Sequence, residues 1–189
     1  MRRSFRYLAL AIAIGTAAGL HAQAPPAGDP RSAAAPQSGA GPDPATFAKQ
    51  ALQGGMTEVQ LAEVAEAKSQ DPQILSFAQR VVADHTTADQ QLMGLAKTKG
   101  WAVPTAPDAQ QAAMLEKLRA KSGGDFDAAF AEQMRGDHAK AIELFESAAH
   151  SSDADLAAWA ARMVPTLKEH KSLADNLPKE SRSSGRSKS

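Results

Sequence analysis

Between residues 45 and 177 the chain returns to apolar residues at alternating steps of three and four, the spacing that keeps side chains on one face of an α-helix. Four such seams can be written out. The first is Phe47, Ala51, Gly54, Glu58, Leu61, Ala65, and the second is Ile74, Ala78, Val81, His85, Ala88, Leu92, Leu95. The third is Asp127, Phe130, Met134, His138, Ala141, Phe145, Ala148, and the fourth is Leu156, Trp159, Met163, Leu167, His170, Ala174, Leu177. The period-two alternation of a half-buried strand is absent, and Ala, Leu, Glu, Lys and Gln dominate, so the pattern predicts helix throughout. Punctuation divides the span. Asp71-Pro72 reads as a helix start, Gly100 follows a lysine-rich end, Gly123-Gly124-Asp125 breaks the chain again, and Ser151-Ser152-Asp153 offers caps. Long helices are expected near residues 45–68, 72–99, 125–150 and 154–176, with a shorter one at 108–121.

The two halves resemble each other. FAKQ at Phe47 matches FAEQ at Phe130, and Val59-Gln60-Leu61 matches Ile142-Glu143-Leu144, both at an offset of 83. Phe77-Ala78-Gln79-Arg80-Val81-Val82 aligns with Trp159-Ala160-Ala161-Arg162-Met163-Val164 at an offset of 82. An all-α fold follows, a four-helix bundle built from two helical hairpins with a short extra helix in the connection between them. Ala-rich amphipathic helices also resemble one another through composition alone, and that alternative stays open.

The ends of the chain are different in kind. Residues 1–24 carry Arg2, Arg3 and Arg6, then a 13-residue apolar run from Leu8 to Leu20, then small residues at Ala22 and Ala24. This is the layout of a cleaved secretory signal. Thirteen residues rise about 20 Å as a helix, too short for a hydrocarbon core of about 30 Å, so no stable membrane span is expected after cleavage, which falls after Ala22 or after Ala24. Residues 25–44 are rich in Pro, Gly, Ala and Ser and read as a disordered linker; residues 178–189 read as a disordered tail. The location implied is periplasmic or secreted. Removing three Arg leaves 18 basic against 21 acidic residues, with no basic stripe to bind nucleic acid. There is no cysteine, which excludes thiolate catalysis, cysteine-held metals and disulfide support.

Each seam has one strongly polar residue near its middle: Glu58, His85, His138 and His170. At about 1.5 Å of rise per residue, Glu58 and His85 stand roughly 18 and 22 Å from the turn at Gln70. His138 and His170 stand roughly 21 and 27 Å from the turn at Ser152. All four therefore fall near the middle of a bundle about 35–42 Å long, whether the two turns share an end or lie at opposite ends. Buried polar groups at one level must satisfy one another or bind something. Three imidazoles and a carboxylate suit one Zn, Fe or Cu ion with room for a water; the competing reading is a metal-free hydrogen-bond cluster.

Asp84 and Asp137 each precede a histidine. Adjacent helical residues point about 100° apart, so these carboxylates flank the seam, where they would pair with a neighbouring cation or orient a ligand from behind. Met134 and Met163 read as core packing rather than copper ligands, and His150 as a cation at a helix end. Gly54-Gly55 suggests close approach of another helix, in this chain or in a homo-oligomer.

The stretches GGMTEVQLAEVA, FAQRVVADHTTADQQLMGLAKTKG, SGGDFDAAFAEQMRGDHAKAIELFESAA and WAARMVPTLKEHKSLADNL resemble the exported bacterial DUF4142 domain, grouped with the ferritin-like bundles. The resemblance covers residues 45–177 and implies a periplasmic or surface-exposed bundle of unsettled function. Diiron relatives place a Glu three residues before a ligating His. Here Val82, Arg135 and Leu167 hold those places, which disfavours ferroxidase chemistry. The expectation is an exported bundle binding a metal or small ligand in envelope stress protection, with a structural or interaction bundle and a metal-dependent redox enzyme as alternatives.

Overall fold

The computed structural model describes residues 41–179. The expected signal segment at 1–24, the linker as far as residue 40 and the tail from residue 180 lie outside the described residues. Within them the chain forms five α-helices and no strand. They are α1 (Pro44–Lys68), α2 (Pro72–Lys99), α3 (Ala109–Arg119), α4 (Gly123–Ala148) and α5 (Ala154–Asp175).

Capping explains most of the boundaries. Asp43 and Asp71 each accept hydrogen bonds from the first turn and are followed by Pro44 and Pro72, whose missing N–H costs nothing there. Asp108 and Gln111 form a reciprocal capping box at the start of α3, with bonds of 2.8 and 3.0 Å. Asp153 holds the Leu156 N–H at 3.0 Å to open α5. Gly100, at φ 70°, closes α2 in the left-handed conformation that glycine adopts without strain.

The ends of α1, α3 and α5 fall within one or two residues of expectation, and both ends of α4 shift by two. α4 begins at Gly123, not 125, because the Ser122 carbonyl accepts from Phe126 at 3.3 Å and the glycines become the first helical residues. It ends at Ala148, which leaves His150 in the turn beyond it.

α1 packs along α2 and α4 along α5, and the two hairpins meet through α1 against α4 and α2 against α5. Two apolar clusters show how the chain runs. Leu61, Ile74, Phe77, Phe126, Phe130 and Ala174 share one end. Phe47, Leu52, Leu92, Ala148, Leu156 and Trp159 share the other. α1 and α5 therefore run one way and α2 and α4 the other, with the two tight turns at opposite ends. The long crossover of ferritin-like bundles returns the chain along the bundle, and α3 anchors it through Leu115 and Leu118 against α1 and α4. Lys99 ties the far end of α2 to α5 through Asp153 and Asp155, at 2.8 and 2.7 Å. Among the described residues no helix is long and apolar enough to cross a membrane.

Candidate metal centre

Between the two apolar clusters lies a polar layer. Glu58 of α1, His85 of α2, His138 of α4 and His170 of α5 meet there, 6, 9, 0 and 0 % exposed. One nitrogen from each histidine lies within 4.8 Å of the other two. The structure thus brings the four residues together but divides their positions. Glu58 touches Nδ1 of His85 at 3.1 Å and Nδ1 of His138 at 3.7 Å. His138 turns its other nitrogen, Nε2, towards His170 Nδ1 at 3.3 Å. Phe77 packs edge-on against both His138 and His170 and closes the layer from the first core.

The outer nitrogens are held. His138 Nδ1 donates to the Met134 carbonyl at 3.0 Å, one turn back on α4. His170 Nε2 donates to Asp84 Oδ2 at 2.9 Å, and the same oxygen accepts from Arg80 Nε at 3.4 Å. Hydrogens on those two nitrogens leave His138 Nε2 and His170 Nδ1 as lone pairs facing each other, a tautomer assignment made from the partners. A tetrahedral ion with metal–nitrogen bonds of about 2.0–2.1 Å has its ligands about 3.3–3.4 Å apart. The two nitrogens already stand at that separation.

Electrostatics favour neutral groups. Burial, reinforced by the charges of His138 and His170, pushes His85 down to about 3. Burial also lowers His138, against its bond to Met134, and lowers His170, against its bond to Asp84. Burial, with the charge of Asp137, pushes Glu58 up to about 8. Burial therefore disfavours the charged form of both partners, which pushes the pair towards a neutral acid beside a neutral imidazole.

Of the two flanking carboxylates, Asp84 bonds a histidine across the α2–α5 interface. Asp137 does not. It accepts from Gln133 at 2.7 Å and acts on the cluster through its charge on Glu58. Met134 is fully buried core, and Met163, partly buried, packs against the second core where it borders a cleft.

That cleft, of about 580 Å³, reaches Glu58, His85 and His170 from the side of the second core. Its origin is a layer of small residues one turn from the polar groups: Gly54 and Gly55 on α1, Ala88 on α2 and Ala141 on α4. Asp89, which the seam pattern does not single out, stands in this hollow. Burial, then the charge of Glu58, pushes its carboxyl up to about 7. A Cβ on Gly55 would collide with that carboxylate, which is the close approach that Gly55 permits; Gly54 faces open space. The available signal was the spacing, since Asp89 lies one turn after His85 and Gly55 nearly one turn before Glu58.

The arrangement offers three buried imidazoles with two inward lone pairs already at ligand spacing, carboxylates behind them and an open side on the cleft. Val82, Arg135 and Leu167 stand three residues before the histidines, so no Glu-x-x-His pair bridges a second ion.

The comparisons with known proteins bear on the fold. No curated protein matches the chain. A solved structure described as a DUF305 fragment from Deinococcus radiodurans is similar, with a TM-score of 0.64 at 16% identity, covering 72% of this chain and 95% of that one. At that identity the likeness speaks for the helical architecture alone. A family model described as a domain of unknown function, DUF4142, matches residues 29–177, and the chain belongs to that family.

Proposed function

We propose that this chain is an exported, non-catalytic four-helix bundle that holds one transition-metal ion between His85, His138 and His170, in protection of the cell envelope. The observation that carries the reading is the 3.3 Å pairing of His138 Nε2 with His170 Nδ1, two acceptors brought together in a buried layer. Two opposed lone pairs need a proton or a cation between them. Burial disfavours the proton, since it lowers both imidazoles, and a cation answers both nitrogens at once. The donor set suits Zn, Cu or Fe. Glu58 and Asp84 then serve as the carboxylates that orient imidazoles and offset the ion's charge.

Metal analysis of the purified protein tests this. The wild type should carry one equivalent of metal after loading, and a His85→Ala, His138→Ala double variant none. If no Zn, Cu or Fe binds stoichiometrically under any loading condition, the cluster is a hydrogen-bond network that sets helix register. Turnover with peroxide or oxygen that vanishes in the double variant would replace the binding role with a redox enzyme.

A further inference from the structure

The histidines are walled in. His138 and His170 are fully buried, Phe77 closes their floor, and the cleft is where His85 and His170 line open space. The hollow left by Gly54, Gly55, Ala88 and Ala141 is the part of that cleft next to the trio. Of the carboxylates that line the cleft, Glu58, Asp84, Asp89, Asp108 and Asp137, Asp89 is the one set against Gly55 in that hollow. Its side chain lies in the space that a Cβ on Gly55 would fill, so the backbone of α1 leaves room for it. It stands one turn from His85 on the same helix, and its charge and that of Glu58 act on each other. It is not one of the groups whose ligand atoms converge, so its position is that of a neighbour on the approach, not of a member of the trio. Asp137 and Lys140 also line the cleft, on α4.

We propose that Asp89, seated over Gly55, is the capture residue of the site: it draws a hydrated divalent cation into the cleft and hands it to the three histidines. The inference rests on the metal reading of the trio. Its physical basis is field focusing, because a carboxylate in a low-dielectric cleft raises the local cation concentration and speeds association by tenfold or more. The small residues around it leave room for an ion that still carries water. As the imidazoles replace that water, the carboxylate is left behind.

The test is stopped-flow uptake of Co²⁺ by the full chain at about pH 8, where the Asp89 carboxyl is ionised, read from the visible bands of the bound ion. Asp89→Asn should slow uptake by about tenfold and leave the final spectrum unchanged. Gly55→Ala, which displaces the carboxylate without altering its charge, should slow it in the same direction. Glu146→Gln, which removes an equal charge from an exposed site paired with Lys168, should not. An unchanged rate in Asp89→Asn, an equal slowing in Glu146→Gln, or an altered final spectrum in Asp89→Asn each overturns the capture role. A wild type that takes up no Co²⁺ overturns the metal reading and this inference with it, whereas normal wild-type uptake with no effect of Asp89→Asn overturns the inference alone.

Discussion

His138 Nε2 and His170 Nδ1 face each other at 3.3 Å while Met134 and Asp84 occupy the opposite nitrogens of the two rings. Neither ring can turn without giving up a hydrogen bond, and for the buried bond of His138 to Met134 that costs on the order of 1–3 kcal/mol. With hydrogens assigned to the outer nitrogens, the fold sets two lone pairs facing each other, and a cation held between them would stabilise the folded state.

Metal loading should accordingly raise the thermal midpoint. Zn²⁺ held at a hundredfold excess over its dissociation constant adds about 2.7 kcal/mol, or roughly 5–10 °C for a domain of this size. Calorimetry with Zn²⁺, and again after a chelator, checks this. A midpoint that moves by less than a degree would count against the site.

Asp84→Asn should weaken metal binding by about 10–100-fold while leaving the metal-free fold intact. The Asp84 side chain is 37% exposed, and Arg80 keeps Glu169 at 2.8 Å as a partner. What is lost is the charge that fixes the His170 tautomer. Titration calorimetry with Zn²⁺ measures it, and equal affinities in the two proteins would remove Asp84 from the site.

Much of this could be read from residue order. The seams and the Asp-Pro starts locate the helices, because helical period and capping are local physics. The common depth of Glu58, His85, His138 and His170 follows from rise per residue alone. Other features were hidden for a physical reason. Depth is the same whether the two turns share an end or not, so chain direction is settled only by which helix ends share an apolar cluster. A seam says which face a residue lies on but not which ring nitrogen meets which neighbour, so Glu58 on the Nδ1 side was not legible. The internal resemblance gives no help either. Its offsets carry Glu58 to Ala141 and His85 to Leu167, each one turn from the histidine that joins the site.

The same substitution at two neighbouring glycines should have opposite signs. Gly54→Ala meets no atom within 4 Å and removes a flexible residue from a helix, so it should stabilise by about 0.5–1 kcal/mol. Gly55→Ala forces the short Asp89 side chain aside and should destabilise by roughly 1 kcal/mol. In an Asp89→Ala background Gly55→Ala should become favourable. Urea unfolding of the four proteins closes the cycle, and additive effects would show that the two residues do not touch.

The metal-free protein should be most stable near about pH 6–6.5, and the sign follows from proton counts. The three histidines are lowered in the fold, so below about 6.5 the unfolded chain binds more protons and stability falls with falling pH. Glu58 and Asp89 are raised to about 8 and about 7, so between their ordinary values and those values the folded chain holds more protons and stability falls as pH rises. The two effects oppose each other between about 4.5 and 6.5; above that only the carboxylates act. Glu58→Gln should therefore flatten the alkaline limb and exceed the wild type at about pH 9 by on the order of a few kcal/mol, with little difference near pH 4. Urea unfolding in chelator across this range measures it, and a wild-type curve flat from about pH 6.5 to 9 would contradict the neutral Glu58. Saturating Zn²⁺ should abolish the same limb, because a cation beside Glu58 makes its ionised form the favoured one; a limb that persists in Zn²⁺ would separate the buried carboxylate from the proposed metal.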